Sequence, residues 1–97
     1  MIHHYVMFTL NKSENKQKTI TELSEKLLSL KGEIKELHQI DIKKNIIDSE
    51  RHADFLLITV FKNLDDLRIY RDHPSHQNVV NKLKEACSNS KVIDFET

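Results

Sequence analysis

Seven consecutive residues, Phe55-Leu56-Leu57-Ile58-Thr59-Val60-Phe61, carry large apolar side chains at every position but one. Alternation along a strand puts Phe55, Leu57, Thr59 and Phe61 on one face and Leu56, Ile58 and Val60 on the other. Both faces need cover, which is the signature of a strand inside a sheet and not at its edge. The rest of the chain must therefore supply something to lie on each side.

The opening segment also has a period of two. Ile2, His4, Val6, Phe8 and Leu10 alternate with His3, Tyr5, Met7 and Thr9, so His4 shares the more apolar face. Asn11 to Asn15 reads as a polar turn. Ile20, Leu23, Leu27 and Leu30 then recur at helical spacing, and Gly32 is expected to stop that helix in a left-handed conformation. Leu37 to Lys44 alternates again, with His38, Ile40 and Ile42 on one side. Residues 45–54 have no period and are expected to form a mobile loop.

After the apolar strand, Asn63 is a suitable N-cap, with Asp65 and Asp66 in the first turn, where negative charge is favoured. Leu64, Leu67 and Tyr70 fall on one helical face. Pro74 ends this helix and is well placed to open another. Val79, Val80, Leu83 and Cys87 give that next helix its apolar stripe. Lys91 to Glu96, carrying Val92, Ile93 and Phe95, is expected as a last short strand.

The element order predicts an α+β, ferredoxin-like subunit, β-α-β-β-α(α)-β, with a four-stranded antiparallel sheet and helices on one face. Residues 1–97 make one domain. A chain of 97 residues buries only about 60–65% of its unfolded surface, and its helices leave one sheet face bare. A second copy is the simplest cover, so a homodimer in the form of a dimeric α/β barrel is expected.

Charge removes several classes of partner. Fifteen basic and fifteen acidic residues cancel, so no nucleic-acid footprint is expected. No apolar run approaches the ~18 residues of a membrane span, and the first residues do not read as a signal peptide. Cys87 is the sole cysteine, which excludes an internal disulfide and fits a reducing, cytoplasmic setting.

The chemistry-bearing stretch is Tyr70-Arg71-Asp72-His73-Pro74-Ser75-His76. His76 falls in the first turn of the helix opened by Pro74, where the positive end of the helix dipole favours a neutral, basic imidazole. Tyr70 could donate a hydrogen bond to a carbonyl gaining negative charge. With His4 they make candidate acid/base groups for a cavity between sheet and helices, walled by Phe8, Phe55 or Leu57, and Val80. The competing assignment makes His76 a helix cap, Tyr70 a core aromatic and His4 a satisfied core histidine. His73 and His76 have an H-x-x-H spacing, but Pro74 separates them and no Cys or Glu pair completes a ligand set. No metal and no organic cofactor are therefore expected, and His73 is assigned as the cap of the helix junction. His38 and His52 have no partners in sequence, and Cys87 reads as core.

Four pieces of the chain together resemble the stress-responsive dimeric A/B-barrel domain family. They are Ile2-His3-His4-Tyr5-Val6-Met7-Phe8, Phe61-Lys62-Asn63-Leu64-Asp65-Asp66-Leu67, Tyr70 with His73-Pro74-Ser75-His76, and Val92-Ile93-Asp94-Phe95. The resemblance implies a ferredoxin-like subunit whose sheet pairs with that of a second subunit. The family is functionally mixed. Its plant members of olivetolic acid cyclase type close a polyketide by aldol condensation without a cofactor, with a Tyr/His pair that falls on Tyr70 and His76 and a first-strand histidine that falls on His4. Where they carry a further pocket histidine, this chain has Phe55. The expected function is a small cytoplasmic barrel protein that binds a small organic ligand, with cofactor-free acid/base chemistry of cyclase or aldol type. The alternatives are a non-enzymatic oligomeric stress or interaction protein and a monooxygenase-like dimeric barrel.

Overall fold

The computed structural model describes residues 1–12 and 15–97. Its elements run β1 (Ile2–Leu10), α1 (Lys16–Leu28), α2 (Leu30–Glu33), β2 (Gln39–Lys44), β3 (Phe55–Phe61), α3 (Leu64–Asp72), α4 (Pro74–Ala86) and β4 (Cys87–Glu96). The strands form one antiparallel sheet in the order β2-β3-β1-β4. This is the ferredoxin-like arrangement, with all helices on one face. β3, the doubly apolar segment, lies inside the sheet between β2 and β1.

The core lies between the sheet and the helices. Ile2, Val6, Phe8, Phe55, Leu57 and Phe61 come from the strands, and Ile20, Leu23, Leu27, Leu67, Tyr70, Val79 and Leu83 from the helices. Thr59, also on the inner face, is fully buried and donates its hydroxyl to the His4 carbonyl at 2.8 Å. Leu64, expected beside Leu67, is exposed instead. As the first residue of α3 it precedes the face that turns inward.

Several boundaries differ from the sequence reading. Residues 13 and 14 of the expected turn lie outside the described residues. Asn15, at the end of that turn, caps α1 by accepting from the Lys18 amide at 3.2 Å. Gly32 does not stop the helix in a left-handed conformation: no described residue has positive φ, and Gly32 lies within α2. Ser29, still helical in its backbone, joins α1 to α2, the chain turns extended only at Ile34, and Leu30, Ile34 and Leu37 anchor the path to β2 by burial. A Cβ at Gly32 would meet nothing within 4 Å. Gly32→Ala should therefore raise stability by about 0.4–1 kcal/mol by restricting the unfolded chain. Chemical denaturation would show this as a higher midpoint, and a lower one would mean Gly32 has a role its surroundings do not indicate.

β4 is longer than expected, and Cys87 opens it instead of ending α4. The irregular segment 45–54 exposes Ile46 and Ile47 but is fastened at its end. Asp54 is buried; its backbone amide donates to Phe8 at 2.7 Å, and its carboxylate accepts from the Leu10 amide at 2.6 Å. Lys16 lies 3.4 Å from the same carboxylate. His52, unpartnered in the sequence reading, has its Nε2 3.5 Å from both Asp48 and Asp54.

The outer sheet face carries no helix. The register sets Val60, His3 and Phe95 in one row, Ile58, Tyr5 and Ile93 in the next, and Leu56, Met7 and Lys91 in a third. His3 stacks on Phe95 with centroids 4.8 Å apart, and Tyr5 meets Phe95 edge-on at 5.1 Å. Met7, Ile93 and Phe95 are exposed, which leaves an apolar patch on β1 and β4 bordered by Lys91 and by Gln39, Asp41 and Lys43 of β2.

Candidate functional site

A cavity of about 510 Å³ opens between the inner face of β1, the helix α4 and the start of β4. That is within the size range of small-molecule sites, about 300–1,000 Å³. His4, Tyr70 and His76 all line it, with Val6, Phe8 and Leu57 from the sheet and Val80 and Leu83 from α4. Phe55, proposed from sequence as a wall, is not among the lining residues. It pairs with Phe8 across the strands and stacks on it at 5.0 Å, so Phe8 stands between Phe55 and the cavity.

The break between α3 and α4 positions the two central groups. His73 is the N-cap of α4, its Nδ1 accepting from the Ser75 amide at 3.1 Å, and Pro74 follows at the first helical position. The Arg71 carbonyl, left without a helical partner at the end of α3, accepts from His76 Nδ1–H at 3.0 Å and from the Gln77 side-chain amide at 2.7 Å. A carbonyl can only accept, so Nδ1 of His76 carries the proton. In the neutral ring Nε2 then keeps a free lone pair. Burial, and secondarily the charges of His4, Arg71 and His73, hold the His76 pKa below the ordinary 6.5, against the opposing Arg71 hydrogen bond. The ring is therefore neutral at pH 7.

Tyr70 packs between Phe61, at 5.0 Å, and His76, at 4.3 Å between ring centroids. It is almost fully buried. Its hydroxyl has no hydrogen-bond partner among the described residues. Leaving a buried hydroxyl unpaired costs about 1–3 kcal/mol. Burial pushes the phenol far above its ordinary pKa, so the group keeps its proton and can act only as a donor or neutral acceptor.

His4 is held from the other side. Asp94 lies opposite it on β4 and takes its Nδ1 at 2.5 Å. The carboxylate accepts, so Nδ1–H is fixed on that side. Sequence reasoning passed over Asp94. The signal was available only through register, since an antiparallel β1–β4 ladder with Ile2 opposite Glu96 puts residue 94 opposite residue 4.

Cys87, assigned from sequence to the core stripe, is half-buried and lines the cavity. Burial and the charge of Asp54 raise its pKa, so the thiol stays protonated. Among the described residues no group of three or more His, Cys, Asp or Glu converges as a metal site, and no helix is long and apolar enough to cross a membrane.

No curated protein matches the sequence, whereas solved structures do. A dimeric ferredoxin-like protein of unknown function from Bacteroides fragilis superposes with a TM-score of 0.87 at 25% identity, covering 99% of this chain and 95% of that one. A dimeric ferredoxin-like protein from Thermobifida fusca gives 0.85 at 20% identity, with 99% and 90% covered. A hydroxynitrile lyase from Passiflora edulis gives 0.82 at 16% identity, with 97% and 91% covered. At 20% identity and below the likeness is one of fold. The family profile of the stress responsive A/B barrel domain matches residues 2–97, and with that span, the ferredoxin-like sheet and its bare outer face, the chain belongs to the stress responsive A/B barrel domain family.

Proposed function

We propose that this protein binds a small organic carbonyl compound between β1 and α4 and moves a proton on the carbon next to the carbonyl, without a cofactor. The observation that carries this reading is Tyr70, a cavity-lining residue whose buried hydroxyl has no hydrogen-bond partner among the described residues, stacked beside an imidazole whose Nδ1 is committed to the Arg71 carbonyl. A ligand carbonyl would satisfy the hydroxyl. His76 Nε2 would take the proton from carbon, and the Tyr70 O–H would donate to the enolate oxygen as charge develops there. His4, with its tautomer set by Asp94, is a second base or a polar contact on the opposite wall. Incubation with acetophenone in heavy water tests the reading. Deuterium should enter the methyl group faster than with an equal concentration of free imidazole. Exchange at the free-imidazole rate, with no saturable binding, would reject it.

Dimerisation is part of the proposal. The apolar rows on the outer face need cover, and dimeric relatives share this fold. A second copy closes the two sheets into a barrel. The lone, protonated Cys87 is compatible with the cytoplasm as its setting.

Acid should act on this site in a defined direction. The folded-state pKa of His76 lies below the ordinary 6.5, so the unfolded chain is the better proton acceptor. The group's contribution to stability is complete above pH 6.5 and is lost as pH falls below it toward the lower folded-state value. Proton abstraction should have its acid limb below 6.5 for the same reason. Denaturation midpoints followed across that window should fall less steeply for His76→Gln than for the parent chain, and equal slopes would contradict the assignment.

A further inference from the structure

The chain is balanced in charge, with fifteen acidic residues, yet none of the described ones lines the cavity. Its ionisable lining groups are His4, Tyr70, His76 and Cys87, together with one permanent cation, Lys84. His76, Val80 and Lys84 stand at i, i+4 and i+8 on α4, one above another on the same face. Lys84 is thus displaced from His76 by about 12 Å along the helix axis, at 1.5 Å per residue. Val80 and Leu83 make the intervening wall apolar. Lys84 has no carboxylate within ion-pairing distance among the described residues, where the ion pairs of Lys and Arg use Lys16, Lys35, Lys43 and Arg68. Ser88, Asn89 and Ser90 at the start of β4 also line the cavity. Ser88 donates to the Thr9 carbonyl at 3.4 Å. Ser90, opposite Phe8 on the inner face, makes no side-chain hydrogen bond among the described residues, whereas Asn89, opposite Thr9, directs its side chain to the other face. The cavity therefore has a neutral donor–base pair at one end, an apolar middle, and a cationic lip with an uncommitted hydroxyl at the other.

We propose that Lys84 is a specificity-determining residue and that the ligand is an elongated organic monocarboxylate. Its carboxylate sits at the lip on Lys84 and Ser90, and its carbonyl lies about two helical turns away along α4, at Tyr70 and His76. This rests on the carbonyl-binding reading of the same cavity. An ammonium–carboxylate contact with one additional hydroxyl donor orients the acid, and the apolar wall takes the carbon chain. The acid enters with its polar head outward, which keeps the deep end free for the neutral carbonyl.

Calorimetry with octanoate and octanamide separates the two claims, run at about pH 8, where ordinary imidazoles are neutral. The parent protein should bind octanoate more tightly than octanamide, and added salt should narrow the gap. Lys84→Gln should lose roughly three- to tenfold in octanoate affinity while leaving octanamide binding and the melting temperature unchanged. Lys84→Arg should restore the preference. A lysine that only complements the C-terminal end of α4 would instead lower the melting temperature without altering the preference. Equal binding of the two probes, or a preference that survives Lys84→Gln, overturns the role of Lys84 and leaves the cavity reading standing. Failure of both probes to bind the parent protein overturns both.

Discussion

Tyr70→Phe should make the protein more stable and much less active. The phenol oxygen is buried and unpaired among the described residues, so removing it relieves a desolvation penalty and should gain up to about 1 kcal/mol. The ring contacts with Phe61 and His76 remain. The same change takes away the only donor assigned to the developing enolate oxygen, which should lower deuterium exchange about 100- to 1,000-fold. His76→Ala should lower it by a factor of about 100–10,000. A half-buried first-turn residue carries little packing, so the fold should survive that change. Gain of stability with loss of activity marks a group kept for function at the expense of the fold. Loss of both would make Tyr70 a structural aromatic whose hydroxyl has a partner in solution, and the non-enzymatic reading would then stand.

Ile93→Lys should turn a dimer into a monomer. In an isolated protomer Ile93 is 60% exposed, so lysine there costs almost nothing. Under a second sheet the same ammonium is stranded on an apolar surface, at a cost of about 3 kcal/mol or more. The parent chain should sediment as a dimer at micromolar concentration, with a melting temperature that rises with concentration. The variant should sediment as a monomer and melt more than about 10 °C lower, with no concentration dependence. If the parent is itself a monomer, or the variant stays dimeric, the outer face is not the contact.

What could be read from the sequence divides along the range of the interactions. β3 matches its apolar run, Phe55 to Phe61, because burial on both faces leaves no freedom of placement. The α3–α4 junction was legible because Asn63, His73 and Pro74 act on their immediate neighbours. Gly32 misled because glycine also occurs inside helices, and here the buried Leu30 and Ile34 keep the chain turning past it. The long-range features were hidden. Asp54 holds the end of β1 from 44 residues away, and Asp94 reaches His4 across a strand pairing that spans 90 residues. Both depend on register, which no local pattern encodes. The placement of Phe55 behind Phe8 has the same origin: period two assigns its face but not its depth along the sheet.

On the proposed function, Tyr70 and His76 face one occupiable cavity and meet a carbonyl there. Nuclear magnetic resonance of the protein labelled at its histidine and tyrosine rings, titrated with acetophenone, reads that contact at the two side chains themselves. Saturable shifts are expected at His4, Tyr70 and His76, none at His3 or Tyr5 on the outer face, and a weaker response in Tyr70→Phe. Shifts confined to His3 and Tyr5, or equal binding after loss of the hydroxyl, would contradict it.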